Sequence, residues 1–272
     1  MGTALARSLI DAGFELVGAY NRGAARAQRF RRSFGVPVER HVIGPNVARA
    51  GWVLVTTSDE AVGAAGDLLR ASAALGRGVI VAHTSGALPG TALGRIPGAA
   101  IGSLHPLGAI PWGSRDSLAG FSYAIEGDTK ARRSLKELAR ALNGKSFTIT
   151  RSHKARYHAA CTIASNLVVA LVALAASEAG RANLRQPEIR MLALAARAVA
   201  AVQRHGLAAG LTGPIARGDT ATVARHLRTL APETRRIYAL LSTEALKLAI
   251  AAGSPRQEAA AIRALLAARR CC

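Results

Sequence analysis

The chain has 272 residues, half of them hydrophobic, with 36 Lys and Arg against 16 Asp and Glu and a formal net charge of +20. Such apolar content excludes disorder over most of the length, and the length suits one large domain or two medium ones with separate cores. Three cysteines, Cys161, Cys271 and Cys272, show no metal-ligand spacing and make no disulfide framework, so neither a metal site nor a stapled scaffold is expected.

Residues 2–12 read as a helix ended by Gly13, and 14–20 as a strand. A basic helix at 24–34 precedes a continuous apolar strand at 52–56 and a helix at 59–75. Strands follow at 79–82 and 99–104, then at 121–125 and 146–150, the last two flanking a helix at 129–142. Continuous rather than alternating apolar strands indicate a sheet covered on both faces. Their alternation with helices predicts a doubly wound, Rossmann-like parallel sheet, an α/β fold.

No strand candidate follows residue 150. Helices are expected at 153–181, 187–205, 220–230, 232–252 and 255–270. The reading is therefore a dinucleotide-binding α/β domain at 1–150 and an all-α substrate and dimerisation domain at 151–272. An Ala- and Leu-rich helical half often buries surface against a second copy, so a homodimer is expected. The apolar stretch 159–176 is interrupted by Thr162, Ser165 and Asn166 and reads as a core helix, with Cys161 a small buried residue inside it. Cys271 and Cys272 read as a frayed tail. No signal-peptide pattern is seen, and a cytoplasmic protein without membrane attachment is expected.

The pI of about 11.5 invites a nucleic-acid reading. The arginines are scattered through amphipathic helices, however, and no zinc-finger or helix-turn-helix spacing accompanies them. No nucleic-acid partner is expected.

A dinucleotide-binding fold begins with a strand, then G-x-G-x-x-G, then a helix whose N-terminus holds the pyrophosphate. Met1-Gly2-Thr3-Ala4-Leu5-Ala6 looks like the end of that fingerprint and the helix after it. The first strand and the first two glycines are missing, so either the true start lies upstream or the product binds nucleotide poorly. The upstream start is favoured, because loss of a central strand exposes two unpaired edges. After the next strand, Asn21-Arg22 stands where the fold reads the adenosine ribose. Arginine there, with no acidic residue at the strand end, suits a 2′-phosphate and hence NADP. Gly2, Asn21, Arg22, Thr57 and Ser58 are the candidate cofactor contacts.

Two polar clusters follow apolar runs: His83-Thr84-Ser85-Gly86 after 79–82, and Gly102-Ser103-Leu104-His105-Pro106-Leu107 after 99–101. Ligands of open α/β sheets sit at the carboxyl ends of strands, and an imidazole there suits proton transfer near neutral pH. His83 reads as a residue that shapes its turn; His105 is the better candidate.

With Thr56-Thr57-Ser58-Asp59, Tyr157-His158-Ala159-Ala160, Ala164-Ser165-Asn166 and the run from Leu211 to Asp219, these motifs resemble a Rossmann-like, NADP-oxidoreductase-type family whose C-terminal helical domain has no assigned function. More distantly the chain is similar to prephenate dehydrogenase, pyrroline-5-carboxylate reductase and the 6-phosphogluconate/β-hydroxyacid dehydrogenases. The resemblance implies a dehydrogenase or reductase with NADP as cofactor. By analogy with prephenate dehydrogenases it places Ser85 and His105 on the substrate hydroxyl.

In the helical half, His158, Thr162, Ser165 and Asn166 fall at i, i+4, i+7 and i+8, one polar stripe on an apolar rod. In β-hydroxyacid dehydrogenases a helix at this junction supplies Lys and Asn. Here Lys154 and Asn166 are twelve residues apart rather than four, which argues against Lys154 as the catalytic group. Asp219 is a plausible N-cap, and Arg217 could clamp an anion.

The expected function is hydride transfer between NADP and a small anionic hydroxy- or amino-acid-like substrate in an interdomain cleft. His105 would exchange the proton, Ser85 orient the oxygen, and Asn166 and His158 complete the catalytic set. Ser103, Ser165 and Arg217 would bind substrate. The alternative is a non-catalytic NADP sensor or scaffold.

Overall fold

A computed structural model describes residues 1–72, 75–111 and 116–267. Cys271 and Cys272, and the end of the helix expected to reach 270, lie outside the described residues. The chain divides into two compact units, Met1–Ser165 and Asn166–Cys272. The helical segment 151–165, expected to open the second domain, therefore counts with the sheet.

In the first unit, helix α1 (Gly2–Asp11) buries Ala4, Leu5, Ala6 and Ser8 along one face. Of the strand expected at 14–20, only β1 (Ala19–Tyr20) forms. Its partner is β2 (Val38–Glu39), a parallel strand that the sequence reading missed, and the two make a separate small sheet. Between them runs α2 (Ala24–Phe34), which carries Arg26, Arg29, Arg31 and Arg32. Phe14 stays outside the ladder and packs edge-on against Trp52, their ring centroids 5.4 Å apart.

The main sheet has the order β3-β4-β5-β6-β7. Its strands are β3 (Trp52–Val55), β4 (Ile80–His83), β5 (Ala100–Leu107), β6 (Ser122–Gly127) and β7 (Lys145–Thr148). β3, β4 and β5 run parallel, as do β6 and β7, but β6 is antiparallel to β5. Parallel pairing dominates, and the all-parallel expectation is corrected at that one junction. The antiparallel partner also explains why β5 outruns its expected end. Pairing of His105 with Ala124, Pro106 with Tyr123 and Leu107 with Ser122 draws these residues into the strand. His105 is thus a strand residue rather than part of a turn.

Helices α3 (Val62–Ala71) and α4 (Thr129–Ala141) cover opposite faces. Leu104, Ile125, Ala82 and Ile80 share one core with α1 and α4, while Val79, Val81 and Val55 share another with Val62 and Leu69 of α3. The central strands β4, β5 and β6 are buried along most of their length, as the continuous apolar strands predict.

The helix expected at 153–181 is two helices, α5 (Lys154–Ala164) and α6 (Asn166–Arg181), parted at Ser165 with φ −124 and ψ −77. The Thr162 hydroxyl donates to the His158 carbonyl and the Ser165 hydroxyl to the Cys161 carbonyl, at 3.1 and 2.7 Å. Such back-bonding in consecutive turns bends a helix. The expected straight polar stripe is broken for that reason.

The second unit adds α7 (Pro187–Gly210), α8 (Thr220–Thr229), α9 (Pro232–Ala251) and α10 (Arg256–Ala267). Its core is built from α8, α9 and α10, around Val223, Leu227, Leu246 and Ile262. Asp219 caps α8 by accepting from the Thr222 amide at 3.0 Å. The expectation of a core helix at 159–176 is corrected. The segment 151–181 is long and apolar enough to cross a membrane by length and composition, yet only 6% of its most apolar window is buried. Cys161 is half-buried rather than enclosed.

Candidate functional site

Register sets the site. Across the sheet, His83 pairs with Ser103 and Ser103 with Glu126, so three polar side chains from adjacent strands stand in one row on one face. His105 lies two residues beyond Ser103 on that face. The row continues the face whose apolar part, Val79 and Val81, packs with α3.

Into this row reaches Lys154, the first residue of α5, which is fully buried. Its ammonium donates to the Ser103 hydroxyl at 2.7 Å and to the Ser85 carbonyl at 2.9 Å. Among the described residues no acceptor takes its third N–H. Burial lowers its pKa to about 8, against the opposing pull of the Glu126 and Asp59 carboxylates. The Glu126 carboxylate accepts from the Gly90 amide and so ties the loop after β4 to β6.

The proton inventory of His83 is fixed by its neighbours. The Ser85 amide donates to Nδ1 at 3.1 Å, so Nε2 carries the hydrogen and donates to the Pro89 carbonyl at 3.0 Å. Burial is the main cause of its lowered pKa. Both ring nitrogens are spent on the turn, the shaping role its position suggests. The Ser85 oxygen accepts from the amides of Ala87 and Leu88 at 3.1 and 3.0 Å, leaving its own hydrogen to donate.

His105 Nδ1 lies 2.9 Å from the Tyr157 hydroxyl, and the two rings meet edge-on at 5.6 Å. His158 packs edge-on from its other neighbourhood at 5.8 Å. A side chain at Gly86 would place Cβ 2.9 Å from His105 Nε2 and 2.5 Å from His158 Cδ2, so only glycine lets that turn pass the two imidazoles. The expectation that His105 titrates near neutrality is corrected. Burial first, then the charges of Lys154 and His158, push its pKa down to about 4, with Asp59 pulling weakly the other way. At neutral pH it is an uncharged imidazole.

The structure thus brings Ser85, Ser103, His105 and His158 together in the first unit. Ser103 is fully buried against Lys154, so its expected substrate contact gives way to holding that ammonium. Ser165 spends its hydroxyl on the helix backbone. Asn166 opens α6 and Arg217 is an exposed residue before α8, both in the second unit.

Lys154, Tyr157 and Glu126 were not among the expected residues. Spacing to Asn166 argued against Lys154. The informative spacing was local, because Lys154, Tyr157, His158 and Cys161 at i, i+3, i+4 and i+7 share one helix face. Glu126 sat unmarked in an apolar strand, visible only once register was known.

The candidate cofactor contacts lie at the start of α1 and just after β1 and β3. A Cβ on Gly2 would fall 2.6 Å from Thr56 Oγ1, so glycine admits the N-terminus of α1 close to the end of β3. Thr57 and Ser58 beside it are exposed. Asn21 turns the chain by accepting from the Gly23 amide at 3.0 Å and leaves Arg22 in solvent ahead of the basic α2.

Residues 121–245 match the family described as a domain of unknown function, DUF2520. No curated protein matches the chain. Among solved structures, one from Bacteroides fragilis, provisionally described as an NADP oxidoreductase, is 23% identical with a TM-score of 0.71, covering 90% of this chain and 93% of its own. A protein from Thermotoga maritima is 24% identical with a TM-score of 0.70, covering 96% and 98%. An NADH-preferring ketol-acid reductoisomerase from an uncultured archaeon is 14% identical with a TM-score of 0.63, covering 99% and 86%. At these identities the likeness establishes the fold, a Rossmann-like unit followed by helices.

Proposed function

We propose that this chain, a Rossmann-like protein of the NADP-oxidoreductase type with a DUF2520 domain at 121–245, is an NADP-dependent dehydrogenase or reductase of a small anionic hydroxy- or amino-acid-like compound. The observation that carries this reading is the buried Lys154 ammonium beside a neutral His105 at the carboxyl end of β5. NADP, when bound, supplies or accepts the hydride. The protein's own residues supply binding and polarisation. The buried Lys154 ammonium sets positive charge behind the strand ends, His105 faces the reacting group, and the Ser85 hydroxyl can donate to the same substrate. Asn166 and Arg217 are proposed to add further contacts from the helical unit.

Arg22 is the residue assigned to the 2′-phosphate. Titration with NADPH and NADH by intrinsic fluorescence should show NADPH bound more tightly. Arg22→Ala should weaken NADPH at least tenfold, by about 1.4 kcal/mol or more, with little change for NADH. Absence of NADPH binding by the full-length protein would end the oxidoreductase reading.

The partner proposed for the helical unit is a second copy of this chain. Leu167, Val169 and Leu171 on α6 and Ile189, Leu192 and Leu194 on α7 are all more than two-fifths exposed, a concentration of large apolar side chains rather than scattered single ones. A membrane is the poorer occupant, since the apolar segment 151–181 is interrupted at Ser165 and α6 beyond that break has 16 residues, about 24 Å, against a hydrocarbon core of about 30 Å. Sedimentation at micromolar concentration should give a dimer in the absence of detergent, and Val169→Glu should yield monomer. A monomeric native protein would refute the assignment. A soluble, cytoplasmic dimer is the form proposed.

A further inference from the structure

Of the two imidazoles at the strand ends, His83 has both nitrogens committed, whereas His105 has one to spare. What His105 can offer a substrate depends on which nitrogen holds its single hydrogen. We infer that Tyr157 is a positioning residue that donates its hydroxyl hydrogen to His105 Nδ1, fixes the ring hydrogen on Nε2, and so makes His105 a neutral donor to a carbonyl or carboxylate oxygen.

The 2.9 Å contact and the edge-on rings give the pair one hydrogen-bonded geometry with two possible senses. A phenol is a good donor and an imidazole lone pair the strongest neutral acceptor in its reach, so the phenol gives and the imidazole takes. Burial, with the neighbouring Cys161 thiol acting the same way, pushes the Tyr157 pKa up, so the hydroxyl keeps the hydrogen it donates. The charged and titratable groups facing His105 are Lys154, His158 and Asp59. Burial first, then the two bases against the one acid, keep the ring neutral rather than carrying hydrogens on both nitrogens. Nε2 has no partner among the described residues. It faces the turn at Gly86, whose lack of a side chain lets the backbone pass close to the ring without covering it by a Cβ.

This rests on the oxidoreductase reading and sharpens its substrate. A neutral Nε2–H cannot accept a proton from a hydroxyl or ammonium group; it polarises an acceptor, as neutral imidazoles do in other carbonyl chemistry. The form of the substrate that the site receives best is therefore the oxidised one, a 2-oxo acid or a related carbonyl compound.

The test needs no substrate. Long-range proton–nitrogen correlation spectra of the nitrogen-15-labelled full chain at neutral pH report which imidazole nitrogen is bare, with His105→Gln identifying the His105 signals. In the native protein Nδ1 should be bare and Nε2 protonated. Tyr157→Phe keeps the ring packed on His105 and Phe147 and deletes only the hydroxyl. It should convert His105 to a mixture of tautomers, with both nitrogen resonances moving toward their average. His226, whose Nδ1 lies 3.0 Å from the Tyr238 hydroxyl, is the internal reference and should not move. A bare Nε2 in the native protein overturns the inference, and that result stands even if Tyr157→Phe fails to fold. An unchanged His105 spectrum in a folded Tyr157→Phe overturns it too. Failure of NADPH binding would count against the enzyme reading and leave the tautomer measurement intact.

Discussion

Lys154→Ala should lower the free energy of unfolding by about 3–5 kcal/mol, the range for removing one member of a buried charged network. Three losses combine. The Ser103 hydroxyl and the Ser85 carbonyl lose the donor they share, and a buried acceptor left unpaired costs about 1–3 kcal/mol. The buried Glu126 carboxylate loses an opposing charge that acts on it through the interior. Removing four methylene-scale groups from a fully enclosed site also leaves a cavity. Lys154→Met separates the cavity from the rest, because both variants remove the ammonium and leave the acceptors unpaired but only methionine refills the space. Its loss should fall well below that of the alanine variant. Urea unfolding at neutral pH measures both. An alanine variant within about 1 kcal/mol of the native protein would show that the cluster contributes nothing to holding the fold.

The legibility of this site follows from the range over which its contacts act. Helices at 24–34 and 129–142 were readable almost to the residue, because a helix is specified by its own periodicity and caps. The Asp219 cap is likewise local. Strand ends were less readable: β5 runs on to Leu107 because β6 lies antiparallel beside it, and nothing within 99–107 announces that partner. The same holds for function. Ser85 and His105 were visible as polar residues after apolar runs. Glu126 and Ser103 became a pair with His83 only through the register of three strands. Lys154 looked misplaced when measured along its helix toward Asn166, whereas its partners lie 51 and 69 residues back, on β5 and in the turn after β4. The exposed face of α6 and α7 was misread for a related reason. Apolar composition reports that a helix is to be buried, but not whether its own chain does the burying.

Stability should fall with acid in a way traceable to His105. Its pKa is about 4 in the folded protein against 6.5 for an unperturbed imidazole. Between those values the unfolded chain takes up a proton that the folded chain refuses, so acid pulls the equilibrium toward unfolding. The contribution is fully present above pH 6.5 and is lost progressively as the pH falls to about 4. At about 1.4 kcal/mol per pKa unit, the whole window is worth about 3.5 kcal/mol. His83 is lowered by burial as well and adds a slope of the same sign, so the native profile alone does not isolate His105. The comparison with His105→Gln does. The amide fills much of the imidazole's space and does not titrate, while His83 and every carboxylate contribute alike to both proteins. Thermal unfolding followed from pH 7 to pH 4 should therefore show the native protein losing its advantage over His105→Gln as the pH falls, with the gap narrowing by about 2–3 kcal/mol. Parallel profiles would mean that His105 takes its proton as readily in the folded protein as in the unfolded chain. A neutral imidazole at the carboxyl end of β5 would then not survive the mildly acidic range, and the donor role built on it would be confined to pH above 6.5.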